Sequence, residues 1–178
     1  RPWLNLIFVA IAAIGGYMAA VNNLEPEPVS FAELAENSTL VELSHRLEEG
    51  MPSGPSGKNT RLFEAAIVRQ NSDGEAGSLA IIFDRKKDKF LAAGLYDPHS
   101  LIRIRALQFG QPAKIDALWF AGKVEQAFEK RRPLLATDTN SYRLIYGEND
   151  GLPGFVADVY DQSLVIKLYS FIWPPYLR

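Results

Sequence analysis

Hydrophobic and polar positions in the second half of the chain alternate in two short runs that flank a polar loop. The alternation has a period of two over residues 142–146 and again over residues 155–160, as in antiparallel strands with one buried face. The loop between them reads GENDGLPG and holds two turn-forming pairs, Asp150-Gly151 and Pro153-Gly154. A hairpin needs only one such pair. The pattern therefore leaves two interpretations open, an ordinary long hairpin loop or a shaped acidic loop with a functional role.

A helical period precedes this hairpin. Apolar residues recur three and four positions apart over residues 115–132, at Ala117, Phe120, Ala121, Val124 and Phe128. Basic side chains occupy the last turn, where positive charge suits the helix dipole, and Pro133 ends the helix. Gly122 interrupts it at a cost of about 1 kcal/mol relative to alanine. Residues 113–178 are therefore predicted to form a helix and an antiparallel meander.

Four shorter apolar runs come before the helix and predict a small β-barrel over residues 59–112. The runs lie at residues 63–68, 79–83, 90–95 and 101–107. Turn-forming residues separate them, a spacing typical of a small barrel that leaves few exposed edges. The hairpin tip between the second and third runs carries basic side chains that either contact phosphate or form a soluble turn: Arg85, Lys86, Lys87 and Lys89. The whole chain is thus expected to have an α+β fold.

The amino-terminal stretch is predicted to be an apolar helix over residues 1–22. Residues 4–21 carry no charged side chain, and a helix of that length spans about 27 Å, close to the ~30 Å hydrocarbon core of a bilayer. A transmembrane or signal-anchor helix is the leading interpretation. A buried core helix and a signal-peptide core are the alternatives.

Residues 23–58 are predicted to be an acidic linker with short helices. Ser30 with Glu33, and Thr39 with Glu42, have the spacing of a capping box, in which each side chain satisfies a free backbone N–H at the start of a helix. The sequence MPSGPSG then interrupts any regular structure.

Composition and charge narrow the chemistry. The 178 residues include no cysteine and only two histidines, which excludes disulfides and a cysteine nucleophile and argues against a zinc site. The net charge of -2 hides a division along the chain, because residues 22–50 carry a charge of -6 and residues 58–135 a charge of +5. The basic part is where nucleic acid would bind, since neutralising phosphates releases counterions.

Four side chains in and just before the fourth apolar run are candidates for RNA contact. Tyr96 and His99 flank a turn-forming Asp-Pro pair, and their flat rings are able to stack on an unpaired base, although a turn histidine is more often satisfied by its own backbone. Arg103 and Arg105 are two apart in a strand and so point to the same face. That face bears either on RNA or on the next domain.

Two motifs, GLYDPHSLIRIR and YRLIYGENDGLPG, resemble the bacterial large-subunit rRNA (cytosine-C5) methyltransferases that use S-adenosylmethionine. The resemblance extends over residues 61–178. It implies a PUA domain first, then a small strand-rich domain with one helix, and then a Rossmann-like catalytic domain that is missing here. It also implies ribosomal RNA as the partner, S-adenosylmethionine as the cofactor of the parent enzyme, and a cytoplasmic location, and it leaves a homodimer open.

Catalysis in that family needs a cysteine thiolate, which this chain lacks. The chain also lacks the glycine-rich strand-to-helix turn that seats the cofactor. We therefore expect a non-catalytic, substrate-binding portion of the parent enzyme, with the reacting groups beyond Arg178. Arg143, Glu148 and Asp150 are predicted to face the catalytic domain or its cleft.

Two other functions stay open. One is a stand-alone RNA-binding module. The other is a membrane-anchored interaction domain, held by the apolar residues 4–21. Separately, residues 1–35 resemble the amino-terminal anchor of membrane AAA+ metalloproteases. The positive-inside bias of Arg1 would then place the rest of the chain outside the cytoplasm.

Overall fold

The computed structural model describes residues 30–36, 38–43, 61–84 and 89–177. The predicted apolar helix, most of the predicted linker, and Arg85, Lys86 and Lys87 of the basic tip lie outside these residues. Within them, no helix combines the length and apolar character that crossing a bilayer requires.

The first sheet has six strands, in the order β2-β6-β5-β4-β1-β3. Their bounds are β1 Thr39–Leu43, β2 Arg61–Phe63, β3 Ile67–Gln70, β4 Leu79–Asp84, β5 Lys89–Tyr96 and β6 Ile102–Phe109. Neighbouring strands are antiparallel except β1 and β4, which are parallel.

The sheet is a curled half-barrel and not the closed barrel expected from the sequence. Its edge strands β2 and β3 are joined by the short 3-10 turn Glu64–Ala66. Three residues span at most about 10 Å, so the sheet curls until its two edges approach each other. Among the described residues, however, no strand pairing joins them. The regular spacing of short strands in the sequence indicates that the sheet curves. A closed barrel requires in addition that the two edge strands are long enough to pair with each other.

The stretch predicted as linker contains both a helix and a strand. Helix α1, Phe31–Glu36, begins after Ser30, whose Oγ accepts a hydrogen bond from the Glu33 N–H at 3.2 Å, as the capping box predicted. The second predicted helix start, at Thr39, is wrong. Residues from Thr39 form β1 instead, because Val41 becomes fully buried between β3 and β4.

The second sheet is the predicted three-stranded meander with a helix beside it. Its strands are β7 Ser141–Tyr146, β8 Phe155–Tyr160 and β9 Ser163–Leu168, and helix α2 spans Ala117–Arg131. Asp116 caps the helix by accepting hydrogen bonds from two backbone N–H groups of its first turn. The remaining elements are the 3-10 turns Arg132–Ala136, Gly147–Asp150 and Pro174–Tyr176.

The two sheets share a hydrophobic core. Leu95 and Leu107 of the first sheet are buried together with Ala157 and Val159 of the meander and with Trp173. A second cluster fills the inside of the curled sheet around residues such as Ile104. At the boundary between the predicted regions 59–112 and 113–178 the chain therefore changes from strands to a helix, and the hydrophobic core is continuous across this boundary.

Gly122 in α2 offers the first testable prediction. A Cβ built on this glycine meets no atom within 4 Å. Gly122→Ala is therefore expected to raise the free energy of unfolding by about 0.5–1 kcal/mol, through higher helix propensity alone. Urea unfolding measures this. Gln126→Gly, at an exposed position of the same helix, should lower stability by a similar amount. A loss of stability in the alanine variant would contradict the open space around Gly122.

Candidate nucleic-acid interface

The turn between β5 and β6 lies against the segment that follows β9. Asp97 is buried at this junction, and its Oδ1 accepts a hydrogen bond from the His99 N–H at 3.1 Å. Its Oδ2 accepts one from the Ser170 hydroxyl at 2.6 Å. One carboxylate therefore fixes the shape of the turn and joins it to the second half of the chain.

His99 is exposed at this junction, as a residue that touches RNA must be. It lines an open cavity of about 540 Å³ together with Ala76, Phe171, Pro174 and Pro175. Phe171 is 74% exposed, which is unusual for a phenylalanine. Two flat side chains at one open cavity form a suitable place for an unpaired base to stack. The sequence reasoning missed Phe171, whose only signal was an aromatic residue just before the Trp-Pro-Pro segment.

Tyr96, the other predicted stacking residue, occupies a different environment. It is only 2% exposed and packs in the core of the curled sheet. Its hydroxyl contacts the Gln70 side-chain amide. No face of this ring is available to a base, because the residue lies at the end of β5, where the alternation of side chains turns it inward. Tyr96 therefore belongs to the core next to the turn and helps to hold the turn in place.

Arg103 supports the same turn. Its guanidinium forms an ion pair with Glu64 at 2.6 Å and donates hydrogen bonds to the Asp97 and Pro98 carbonyl oxygens. The side chain is mostly buried. Its described partners thus belong to its own sheet and turn, and the two partners that the sequence left open for this face, RNA and the next domain, stay predictions.

Arg105 is buried between the two sheets. It is 7% exposed, and its guanidinium lies over Gly154, where an added Cβ would stand 3.6 Å from both Cζ and Nε. Within the described part of the chain, the Arg105 Nε has no hydrogen bond partner. Burial lowers the pKa of Arg105, and the neighbouring positive charge of Arg61 lowers it further, whereas Glu148 and Asp97 act in the opposite direction.

Asp150 of the acidic loop is a buried anchor. It is 6% exposed, and its carboxylate accepts hydrogen bonds from Arg131 at 2.8 and 2.6 Å, from Lys130 at 3.0 Å and from the Tyr146 N–H at 2.7 Å. Burial alone would raise the pKa of Asp150. The hydrogen bonds from Arg131, Tyr146 and Lys130 outweigh burial and hold the pKa below its usual range.

The other two residues predicted to face the catalytic domain are more accessible. The Glu148 carboxylate lies 3.1 Å from the Arg61 Nε, a contact that joins the loop to the edge strand β2 of the first sheet. Arg143 pairs with Asp158 at 2.7 Å across β7 and β8 and lies over the Tyr146 ring. Arg143, Glu148 and Asp150 thus each have a partner within the chain, and their orientation toward a catalytic domain stays a prediction.

Lys89 is the one residue of the predicted basic tip that the structure describes. It is exposed and lies opposite Asp84 in the pairing of β4 with β5. Across the described ranges, no three histidine, aspartate or glutamate residues come together as a metal site would require.

One stretch of the chain matches a known domain family. Residues 59–109 match the model of the PUA-like domain. This range includes β2 to β6, five of the six strands of the curled sheet, and the match supports the PUA domain that the resemblance implied. The comparisons give no support to the resemblance of residues 1–35 to membrane proteases, to a homodimer or to membrane association.

The relatives found with this chain are methyltransferases. It is 43% identical over 122 residues to a ribosomal RNA large subunit methyltransferase of Deinococcus radiodurans, covering 66% of this chain and 30% of that protein. It is 39% identical over 110 residues to the ribosomal RNA large subunit methyltransferase I of Escherichia coli, covering 61% and 28%. The chain therefore spans less than a third of the length of these relatives.

Solved structures show the same fold. A protein of Streptococcus mutans described as a SAM-dependent methyltransferase superimposes with a TM-score of 0.62 at 15% identity, covering 75% of this chain and 34% of that one. A second methyltransferase structure, in complex with SAH, gives a TM-score of 0.63 at 15% identity and covers 75% and 33%. At this identity the comparison establishes the arrangement of sheets and helix.

Proposed function

We propose that this chain is the amino-terminal, RNA-binding portion of a class I S-adenosylmethionine-dependent rRNA (cytosine-C5) methyltransferase, acting in the cytoplasm. The observation that carries the proposal is its 43% identity over 122 residues to a ribosomal RNA large subunit methyltransferase. The PUA-like match and the basic character of residues 58–135 support RNA as the partner.

The chemistry of methyl transfer belongs to another portion of the enzyme. Attack on a cytosine ring needs a nucleophile such as a cysteine thiolate, and this sequence contains no cysteine. It also has no glycine-rich turn between a strand and a helix, the feature that holds a cofactor of this type in a Rossmann-like fold. The parent enzyme would therefore bind S-adenosylmethionine in its catalytic portion, and this chain would hold and orient the rRNA.

The junction of the two sheets is the part of the surface best suited to RNA. His99 and Phe171 offer exposed rings at an open cavity, and Lys89 adds an exposed positive charge elsewhere on the curled sheet. Arg143 and Glu148, which are partly exposed on the meander and its loop, are the residues we propose to face the catalytic portion.

RNA binding by the full chain tests this proposal. Fluorescence anisotropy with fragments of large-subunit rRNA should show binding that weakens steeply as salt rises. Phe171→Ala is expected to weaken it roughly tenfold, because stacking on one base contributes about 1–3 kcal/mol. Tyr160→Ala, which removes an exposed aromatic ring from the meander, is the matched control and should bind normally. Absence of RNA binding by the unmodified chain would refute the proposal.

Methyl transfer separates an enzyme portion from a stand-alone RNA-binding module. The chain can be fused to the catalytic portion of the Deinococcus radiodurans relative, in place of the region to which it is 43% identical. The fusion should methylate rRNA if the chain presents substrate to such a domain. A fusion that binds RNA and cofactor normally without methyl transfer would favour the stand-alone module.

A further inference from the structure

We propose that Arg61 and Arg105 form a binding site for a phosphate of the RNA backbone, and that the Glu148 carboxylate occupies this site until RNA arrives. The inference rests on the proposed function. It names one site on the chain where RNA binds and the chemical group of the RNA, a phosphate, that this site holds. In this mechanism, RNA binding exchanges an internal carboxylate for a phosphate, and no covalent bond changes.

Strand pairing brings the two arginines together. Arg61 of β2 is the direct partner of Arg105 of β6, so the two side chains leave the same face of the sheet side by side. The sequence alone did not bring these two arginines together, because they are neighbours only through the pairing of two strands that lie more than forty residues apart. Two guanidinium groups at neighbouring positions match the charge and geometry of a phosphate.

Arg105 has unused capacity to bind an anion. Its side chain is nine-tenths buried, its Nε has no partner among the described residues, and the backbone of Gly154 lies against its guanidinium. A buried donor without a partner destabilises the fold, and such groups call for a specific explanation. An arriving phosphate would supply negative charge at a position where burial now opposes the charged form.

Glu148 is the group that a phosphate would replace. Its carboxylate lies 3.1 Å from the Arg61 Nε, and it is the strongest of the carboxylates that favour the charged form of Arg105. The Arg61 side chain is 54% exposed and the Glu148 side chain 30% exposed, and ion pairs that are open to solvent contribute little to stability. The contact is therefore weak enough to yield to a phosphate that reaches both arginines.

The cavity lined by His99 and Phe171 indicates that the phosphate belongs to a nucleic acid, because a base stacked there would bring its own phosphates with it. Asp97, whose charge acts on Arg105, is the same residue that fixes the His99 turn and holds Ser170 next to Phe171. A base stacked at His99 and Phe171 would place its own strand at this junction. The base site and the phosphate site are thus connected through one buried carboxylate.

The test compares two glutamates. Glu148→Gln should tighten binding of an rRNA fragment up to about fivefold, because the competing carboxylate is removed. Glu129→Gln changes the net charge by the same amount and also frees an arginine, Arg132, so it controls for charge alone. Arg61→Gln should weaken binding and reduce the slope of affinity against salt by about one phosphate contact. Equal affinities for the two glutamine variants would overturn the inference.

Inorganic phosphate provides a second readout that does not depend on RNA. Titration of the full chain, followed by the NMR resonance of the Arg105 Nε–H group, should shift that resonance, and the shift should occur at lower phosphate in Glu148→Gln. No shift in either protein would also overturn the inference. A chain that binds phosphate at this site without binding rRNA would leave the site standing and refute the proposed function. If the chain bound rRNA equally tightly with Gln or Glu at position 148, the phosphate site would be refuted and the proposed function would stand.

Discussion

Replacing Asp150 with alanine is expected to lower the free energy of unfolding by about 3–5 kcal/mol, the usual cost of removing one partner from a buried ion pair. The carboxylate is 6% exposed and accepts two hydrogen bonds from Arg131 at 2.8 and 2.6 Å and one from the Tyr146 N–H. In the variant, the Arg131 guanidinium, which is 14% exposed, stays in place without its counter-charge. Urea unfolding followed by tryptophan fluorescence measures the loss.

Asp158→Ala is the matched control for this substitution. Asp158 also forms a bidentate pair with an arginine, Arg143, at 2.7 and 3.1 Å. That pair lies on an exposed face of the meander, where solvent and salt screen the charges, so its removal should change stability only slightly. Comparable losses in the two alanine variants would show that burial is not what makes the Asp150 contacts strong.

The pH dependence of stability provides an independent check on Asp150. Its pKa in the folded chain is below the ordinary value of 3.8, because the hydrogen bonds from Arg131, Tyr146 and Lys130 outweigh the effect of burial. A lowered folded pKa gives stability that is complete above the unfolded value and is lost as pH falls through the folded value. The stability difference between the unmodified chain and Asp150→Asn should therefore shrink below about pH 3.8.

Elements with a long, regular pattern could be predicted from the sequence. The alternation over residues 142–146 and 155–160 became β7 and β8. Both pairs between them form turns, and their glycines, Gly151 and Gly154, have a φ of +74°. Helix α2 begins only two residues after its predicted start, because Asp116 supplies the cap. In these places the local sequence and the tertiary contacts favour the same structure.

Strand β1 shows why other parts could not be predicted. The Thr39 and Glu42 side chains fit a helix start as well as a strand. What decides between them is the parallel pairing of β1 with β4, whose residues lie about forty positions later. A sequence pattern reports local preference, and it has no access to a partner strand that far away.

The same limit applies to the candidate site. Period-two spacing predicted that Arg103 and Arg105 share one face of β6, and it carried no information about what either side chain contacts. Their different environments depend on distant residues, Glu64 for the first and Gly154 for the second. Asp150 was chosen for its place in a polar loop, and its role as an anchor follows from Arg131, which is nineteen residues away.

Gly94→Ala is expected to destabilise the chain by about 3 kcal/mol, at the upper end of the usual cost of overpacking. A Cβ at this position would lie 2.5 Å from the Arg105 carbonyl oxygen and 2.8 Å from the Ala106 Cα. Both are backbone atoms of β6, which have little freedom to move, and the pairing of β5 with β6 is already irregular between Ala93 and Gly94. One added methyl group must therefore push the two strands apart.

The consequence reaches the proposed phosphate site, because the displaced strand carries Arg105. At a temperature where the chain is still folded, Gly94→Ala should also weaken rRNA binding, although residue 94 itself touches no ligand. Gly122→Ala adds the same methyl group in open space and should stabilise the chain without altering RNA binding, which makes it the control. If Gly94→Ala lost stability in urea unfolding but bound rRNA as tightly as the unmodified chain, the position of Arg105 would not matter for RNA. The phosphate site would then have to be abandoned.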